Sequence, residues 1–184
     1  MEALGIDIGG TGMKAAPVNI ATGELLAERL RIDTPKSGKP TDMTEIILEL
    51  IHHFKWKGTV GCGFPAVVKS GIAKTHSNLH KSWLEMNIKE LFEKKSSCPF
   101  TILNDADAAG LAVMKFGVGK GLGGKVLVLT IGTGIGSALF LNGQLVSNTE
   151  FGRINSFKGD AMELYASRSA KKREDLSLKK WSAR

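Results

Sequence analysis

Apolar and polar residues alternate from the start of the chain. "ALGIDIGG", "MKAAPVNI" and "ELLAERLRIDTP" follow the two-residue period of β-strands, with "ATGE" at residues 21–24 as a turn, so the pattern predicts an antiparallel meander. The period then changes. In "TDMTEIILELIHHFKW", Ile46, Ile47, Leu50, Ile51 and Phe54 share one helical face, and Thr41 is the expected N-cap. "TVGCGFPAVV" reads as a buried strand broken by Pro65, and "KSGIAKT" as a hairpin turning at Ser70 and Gly71. "NIKELFEKK" predicts a short helix, "FTILND" a strand and "ADAAGLAVMKFG" a helix. After the glycine run 117–124, "KVLVLTI" and "GSALFLNG" predict two strands joined through "GTGI".

The order is three strands, helix, strand, helix, strand, helix, and then strands again. This α/β order suggests two domains, residues 1–116 and 117–184. One recurrence stands out: "IDIGGTGMKAA" and "LTIGTGIGSAL" are each a strand, a glycine-rich turn and a second strand.

Composition narrows the class. With 184 residues, 42% hydrophobic and 23% charged, the chain can bury about 70% of its unfolded surface. No run of 18 apolar residues and no basic-then-apolar leader occurs, so a cytoplasmic protein with no membrane partner is expected. Cys62 and Cys98 are too few and too far apart for a disulfide scaffold or a zinc motif. His76 and His80, and His52 and His53, lack the cysteines or acidic cluster of a metal site. The net charge of +7 is concentrated: residues 153–184 carry nine Lys/Arg against four Asp/Glu. That basic segment reads as a solvated helical face or as a polyanion contact.

A glycine turn between strands lets backbone N–H groups approach a phosphate. One such turn is an ordinary hairpin; two suggest chemistry, because Asp7 can hold a hydrated Mg²⁺ while Thr11, Thr130 and Thr133 add hydroxyls. "GVGKGLGGK" at 117–125 mimics both a dinucleotide fingerprint and a P-loop. It follows a helix and precedes a strand, and Val126 stands where a P-loop needs Ser or Thr, so it is read as a connection between two halves. Asn104 and Asp105 close a strand and open a helix. Taken alone the pair caps that helix; only one residue is needed for that, and the carboxylate of the other is placed as a general base. Trp83 reads as a packing anchor, and Glu150 as a turn residue or a binding carboxylate.

"GIDIGGTGMKAAPV", "GFPAVV", "TILNDADAAG", "LTIGTGIGSALF" and "NTEFG" occur in the order and approximate spacing of the ROK family of sugar kinases, and with "KSW" and "DLSLKKW" the chain resembles its polyphosphate glucokinases. The resemblance spans nearly the whole chain, thinning after residue 152. It implies an actin-like, ribonuclease H-like ATPase fold with two α/β domains around a cleft. It implies that Asp7 serves the metal, and that Gly9, Gly10, Thr11, Gly12 and Lys14 bind phosphate in a first loop and Thr130, Gly132, Thr133 and Gly134 in a second. Asp105 becomes the catalytic base on the sugar 6-hydroxyl, with Asn78, Asn104, Glu150 and Glu163 binding the sugar. The implied partners are glucose and a phosphoryl donor, polyphosphate or ATP, with Mg²⁺; relatives are usually homodimers.

Three departures accompany the resemblance. The family's "PG" reads Pro65-Ala66, and the histidine of its "ExxGH"-type motif is Arg153. No cysteine follows, so no zinc is expected. Relatives continue past the position of Arg184, so an incomplete second domain with exposed apolar surface is expected, and with it the alternative of a catalytically impaired or non-catalytic sugar-binding protein. The first phosphate strand begins at Leu4, which leaves no room ahead of it for a helix-turn-helix, so no DNA partner is expected.

Overall fold

The computed structural model describes residues 1–184, which divide into two compact units, Met1–Ala108 and Ala109–Arg184. In the first unit, β1 (Glu2–Ile8), β2 (Gly12–Asn19) and β3 (Leu30–Asp33) form the expected antiparallel meander. Helix α1 (Pro40–His53), β4 (Val60–Phe64), the β5–β6 hairpin (Val68–Lys69 and Ile72–Ala73), α2 (Ile88–Ser96) and β7 (Phe100–Asn104) follow. Strands β4 and β7 add in parallel, giving the order β3-β2-β1-β4-β7. Helix α3 (Asp105–Phe116) starts directly from β7 and continues into the second unit.

The core of the first unit is the apolar face of this sheet. Leu4, Ile6 and Ile8 alternate inward from β1 and join Met43, Ile47, Leu50 and Ile51 of α1 and Phe92 of α2 in one buried cluster. Trp83, in a 3-10 turn at Lys81–Trp83, anchors it: the ring meets Phe64 edge-on at 5.0 Å, and its Nε1 donates to Gly38 O at 2.8 Å. Trp83 is therefore a packing residue, 2% exposed.

Two boundaries differ from the sequence reading. The third strand was expected from Glu24, but only Leu30–Asp33 pairs with β2; before it lies a single bridge between Val18 and Leu25. Pro17 explains the break. Its carbonyl accepts from Leu26 N on the side facing β3, where its missing N–H leaves a gap in the ladder. Helix α1 begins at Pro40 with Lys39 as N-cap, so Thr41 lies inside the first turn. Pro40 presets the helical φ and its missing N–H would have had no partner there.

In the second unit, β8 (Lys125–Ile131), β9 (Ile135–Leu141) and β10 (Gln144–Val146) form an antiparallel sheet in the order β10-β9-β8. Gly110 of α3 lies so close to Ala138 and Phe140 of β9 that a side chain there would overlap them. The other face of β8, with Leu127, Leu129 and Ile131, is about half exposed, an apolar stripe of the kind expected from the sequence. Three short helices follow, α4 (Met162–Ala166), α5 (Arg168–Arg173) and α6 (Leu178–Ser182). No helix is long and apolar enough to cross a membrane.

An ion network fastens these helices. Glu174 pairs with both Arg184 and Arg173; Arg184 also donates to Tyr165 O at 2.8 Å and lies over the Tyr165 ring. Arg184 first and Arg173 second hold the Glu174 carboxyl at a pKa of about 2, below its ordinary 4.5. A depressed carboxyl pKa stabilises the fold above the unfolded value, and that contribution disappears as pH falls from about 4.5 through about 2. Hydrogen exchange of residues 165–184, corrected for intrinsic rates, should therefore lose protection between pH 5 and pH 3, and Glu174→Gln should abolish that difference; the carboxylate is solvent-facing, so added salt should shrink the effect.

Candidate functional site

The parallel registers assemble the first half of the site. Asp7 pairs with Gly63, and Gly63 with Leu103, so Asp7 lies in the row just before Asn104. All three strands end at one edge, where parallel sheets bind ligands. Strand spacing separates β1 from β7 there by about 10 Å. Gly63 lies beside the first residue of α3, in van der Waals reach of the Asp105 Cα.

The turn between β1 and β2 is tied down from several sides. Gly9 N donates to Gly12 O at 3.1 Å, and Thr34 Oγ1 donates to Gly9 O at 2.5 Å. Thr11 O accepts from Arg31 Nη2 at 3.0 Å and from Thr34 N at 3.4 Å. A Cβ on Gly12 would lie 2.6–2.7 Å from the Arg31 guanidinium, so a glycine there makes room for that group. Asn78 adjoins Gly10, its Cβ 3.7 Å from where a Cβ on Gly10 would lie. Asp7 Oδ2 accepts from Lys14 Nζ at 3.1 Å, a cross-strand pair in direct register. A single carboxylate with about half its side chain exposed suits Mg²⁺, which keeps most of its waters and takes one or two protein carboxylates beside a phosphate.

At the start of α3 the two polar residues separate. Asn104 Oδ1 accepts from Ala106 N at 2.9 Å and Asp107 N at 3.1 Å, and its Nδ2 donates to Ala66 O at 3.1 Å. Asn104 is therefore the cap, 5% exposed. The Asp105 side chain accepts from Ala106 N at 2.9 Å, and the residue stays exposed. The methyl of Ala66, one of the departures, is taken up by the buried cluster.

In the second unit the β8–β9 turn is closed by Gly132 N donating to Gly134 O at 3.0 Å, and Arg168 N donates to Gly132 O at 3.1 Å. The Glu163 carboxylate lies on this turn. Its Oε2 accepts from Ile135 N at 3.4 Å and occupies the space where a Cβ on Gly134 would go. Ser137 accepts from Phe151 N at 2.9 Å and donates to Thr149 O, which fixes the stretch carrying Glu150. Arg153 Nε meets Glu150 Oε2 at 2.9 Å, so the guanidinium that replaces the expected imidazole holds a candidate sugar-binding carboxylate. Cys62 plays no nucleophilic part: burial first, and the charge of Asp7 second, push its thiol well above the ordinary range.

The ROK family model matches residues 3–153. The chain belongs to the ROK family. This ROK chain is 41% identical over 182 residues to a polyphosphate glucokinase of Mycobacterium tuberculosis, a match that covers 98% of the chain and 68% of that protein. It superposes on the inorganic polyphosphate/ATP-glucomannokinase of Arthrobacter sp. strain KM with a TM-score of 0.94 and 38% identity, over 99% of this chain and 74% of that one. For a ROK family glucokinase from Streptomyces griseus in complex with glucose and AMPPNP the values are 0.83 and 26%, over 95% and 62%. The fold is thus that of the ROK sugar kinases, the actin-like ATPase architecture, of which the chain covers a part.

Within the first unit of this ROK chain the predicted residues fall into two groups: Asp7, Lys14 and Asn78 with the Gly9–Gly12 turn, and Asn104 with Asp105 at the α3 start. In the second unit Glu163 joins the Thr130–Gly134 turn, and Glu150 pairs with Arg153. Arg31 and Thr34 were missed. They sit on and just after β3, and the only sequence signal was "RIDT", in which Arg31 and Asp33 alternate to one face of an edge strand and Thr34 follows its end. For Asn104, Asn104→Ala should destabilise the protein by about 2 kcal/mol in urea denaturation, because it removes the cap and leaves Ala66 O buried and unpaired.

Proposed function

We propose that this chain transfers a phosphoryl group from polyphosphate, ATP or both to the 6-hydroxyl of glucose. The observation that carries the reading is the division of labour at the start of α3. Asn104 does the capping, which leaves the Asp105 carboxylate exposed at the edge where Asp7 also ends. The names of the relatives, a polyphosphate glucokinase and a polyphosphate/ATP-glucomannokinase, support the donor and the acceptor.

Phosphoryl transfer asks the protein mainly to position groups and to stabilise charge. In this proposal Asp105 accepts the proton of the attacking hydroxyl, while Asn78, Asn104, Glu150 and Glu163 orient the sugar. Gly9, Gly10, Thr11, Gly12 and Lys14 take donor phosphate in the first unit, and Thr130, Gly132, Thr133 and Gly134 in the second. Asp7 would hold Mg²⁺, which would offset negative charge on the donor oxygens. The two functional domains of this reading are residues 1–116 and 117–184, the second incomplete, in a cytoplasmic protein whose full-length form is a homodimer.

A second reading rests on the Glu150–Arg153 pair and on the carboxylate at the second turn. With one sugar-binding acceptor neutralised and an anion on the phosphate-facing glycines, the chain binds the sugar without turning it over. One assay separates the two: glucose 6-phosphate formation with polyphosphate and with ATP, beside calorimetric glucose binding. Product formation supports the kinase; binding without product supports the second reading. In an active protein, Asp105→Asn should lower kcat by about 10²- to 10⁴-fold and change stability by less than about 1 kcal/mol, since the cap remains. Full turnover in that variant would remove Asp105 from the role of base.

A further inference from the structure

The transverse row through β1, β2 and β3 at the first glycine turn carries an unusual set of charges. Asp7 pairs with Lys14, and Lys14 pairs with Arg31. Directly opposed residues of antiparallel strands project to the same face, so Lys14 and Arg31 are two cations placed side by side, an arrangement that costs stability by itself. Each is balanced separately: Lys14 by Asp7 at 3.1 Å, and Arg31 by Asp33 at 2.6 Å. A fold that needed only structural pairing would alternate the signs.

Arg31 also reaches the turn itself. Its guanidinium fills the place where Gly12 lacks a side chain, and its Nη2 holds Thr11 O at 3.0 Å, while about half of the side chain stays exposed. Guanidinium is permanently charged and has five N–H donors, of which these two contacts use two. The same group thus fixes the carbonyl of the central turn residue and keeps charge and donors available beside it.

We propose that Arg31 is a positioning residue for the phosphoryl donor: it sets the shape of the Gly9–Gly12 turn through Thr11 O and, with Lys14, forms a two-cation row for the donor's phosphates. The inference rests on the kinase reading. It assigns donor affinity to a strand residue outside the glycine turn and predicts that acceptor affinity is untouched by it.

The test measures tripolyphosphate binding and glucose binding by calorimetry on the whole chain, for the wild type, Arg31→Gln and Arg31→Lys. Arg31→Gln should weaken tripolyphosphate binding about tenfold, the worth of a charge-assisted contact, and leave glucose binding within about twofold. Arg31→Lys keeps the charge but loses the flat guanidinium over Gly12, and should fall between the two. In steady state the donor KM should rise while the glucose KM holds. Tripolyphosphate binding equal to wild type in Arg31→Gln overturns the proposal and leaves the kinase reading intact. Equal losses of glucose and tripolyphosphate binding, accompanied by a lowered Tm in both variants, make Arg31 merely structural and also overturn it. A wild-type chain that binds neither tripolyphosphate nor ATP overturns the kinase reading, and this inference with it.

Discussion

Parallel pairing of β1 with β4, and of β4 with β7, is the constraint on which the first unit's chemistry depends. Backbone register alone puts Asp7, Gly63 and Leu103 in one row, and the chain can then leave β7 only at Asn104, at the same edge of the sheet. A slip of one residue in β1 would turn Leu4, Ile6 and Ile8 out of the core, so burial of those three side chains fixes where the Asp7 carboxylate emerges. The candidate site is in this sense a by-product of core packing. Gly63 completes it, because the first residue of α3 packs against the place where its side chain would be.

What the sequence made legible was what local periodicity encodes. The meander, the face of α1, the Ser70–Gly71 hairpin and the strand-to-helix junction at Asn104 all appear as short-range patterns, and the structure contains them. The start of α1 was misread because two signals competed there. A hydroxyl at Thr41 suggested a cap, but Pro40 one residue earlier already supplied the helical φ. The third strand was overextended because alternation in "ELLAERL" persists where its partner cannot pair, and only the sheet reveals that Pro17 faces it.

The site residues divide along the same line. Asn104 and Asp105 could be found as a pair, but which of them caps is decided by Asn104 donating to Ala66 O, a contact 38 residues away in the chain. Arg31 and Glu163 act on the two glycine turns from 19 and 29 residues beyond the glycines they approach, Gly12 and Gly134, and no local pattern announces either contact. The duplicated turn motif is legible; the charge around each copy is tertiary.

That charge differs between the copies. The first turn has Lys14 and Arg31 on the strands beside it, each balanced by a carboxylate. The second turn has a carboxylate lying on it, held by one N–H at 3.4 Å, near the outer limit of a hydrogen bond. Two turns with nearly the same sequence therefore have unlike electrostatic surroundings. The first has two cationic side chains beside it, both in ion pairs. The second has backbone N–H groups and the Thr130 and Thr133 hydroxyls, with the Glu163 carboxylate occupying the space beside Gly134.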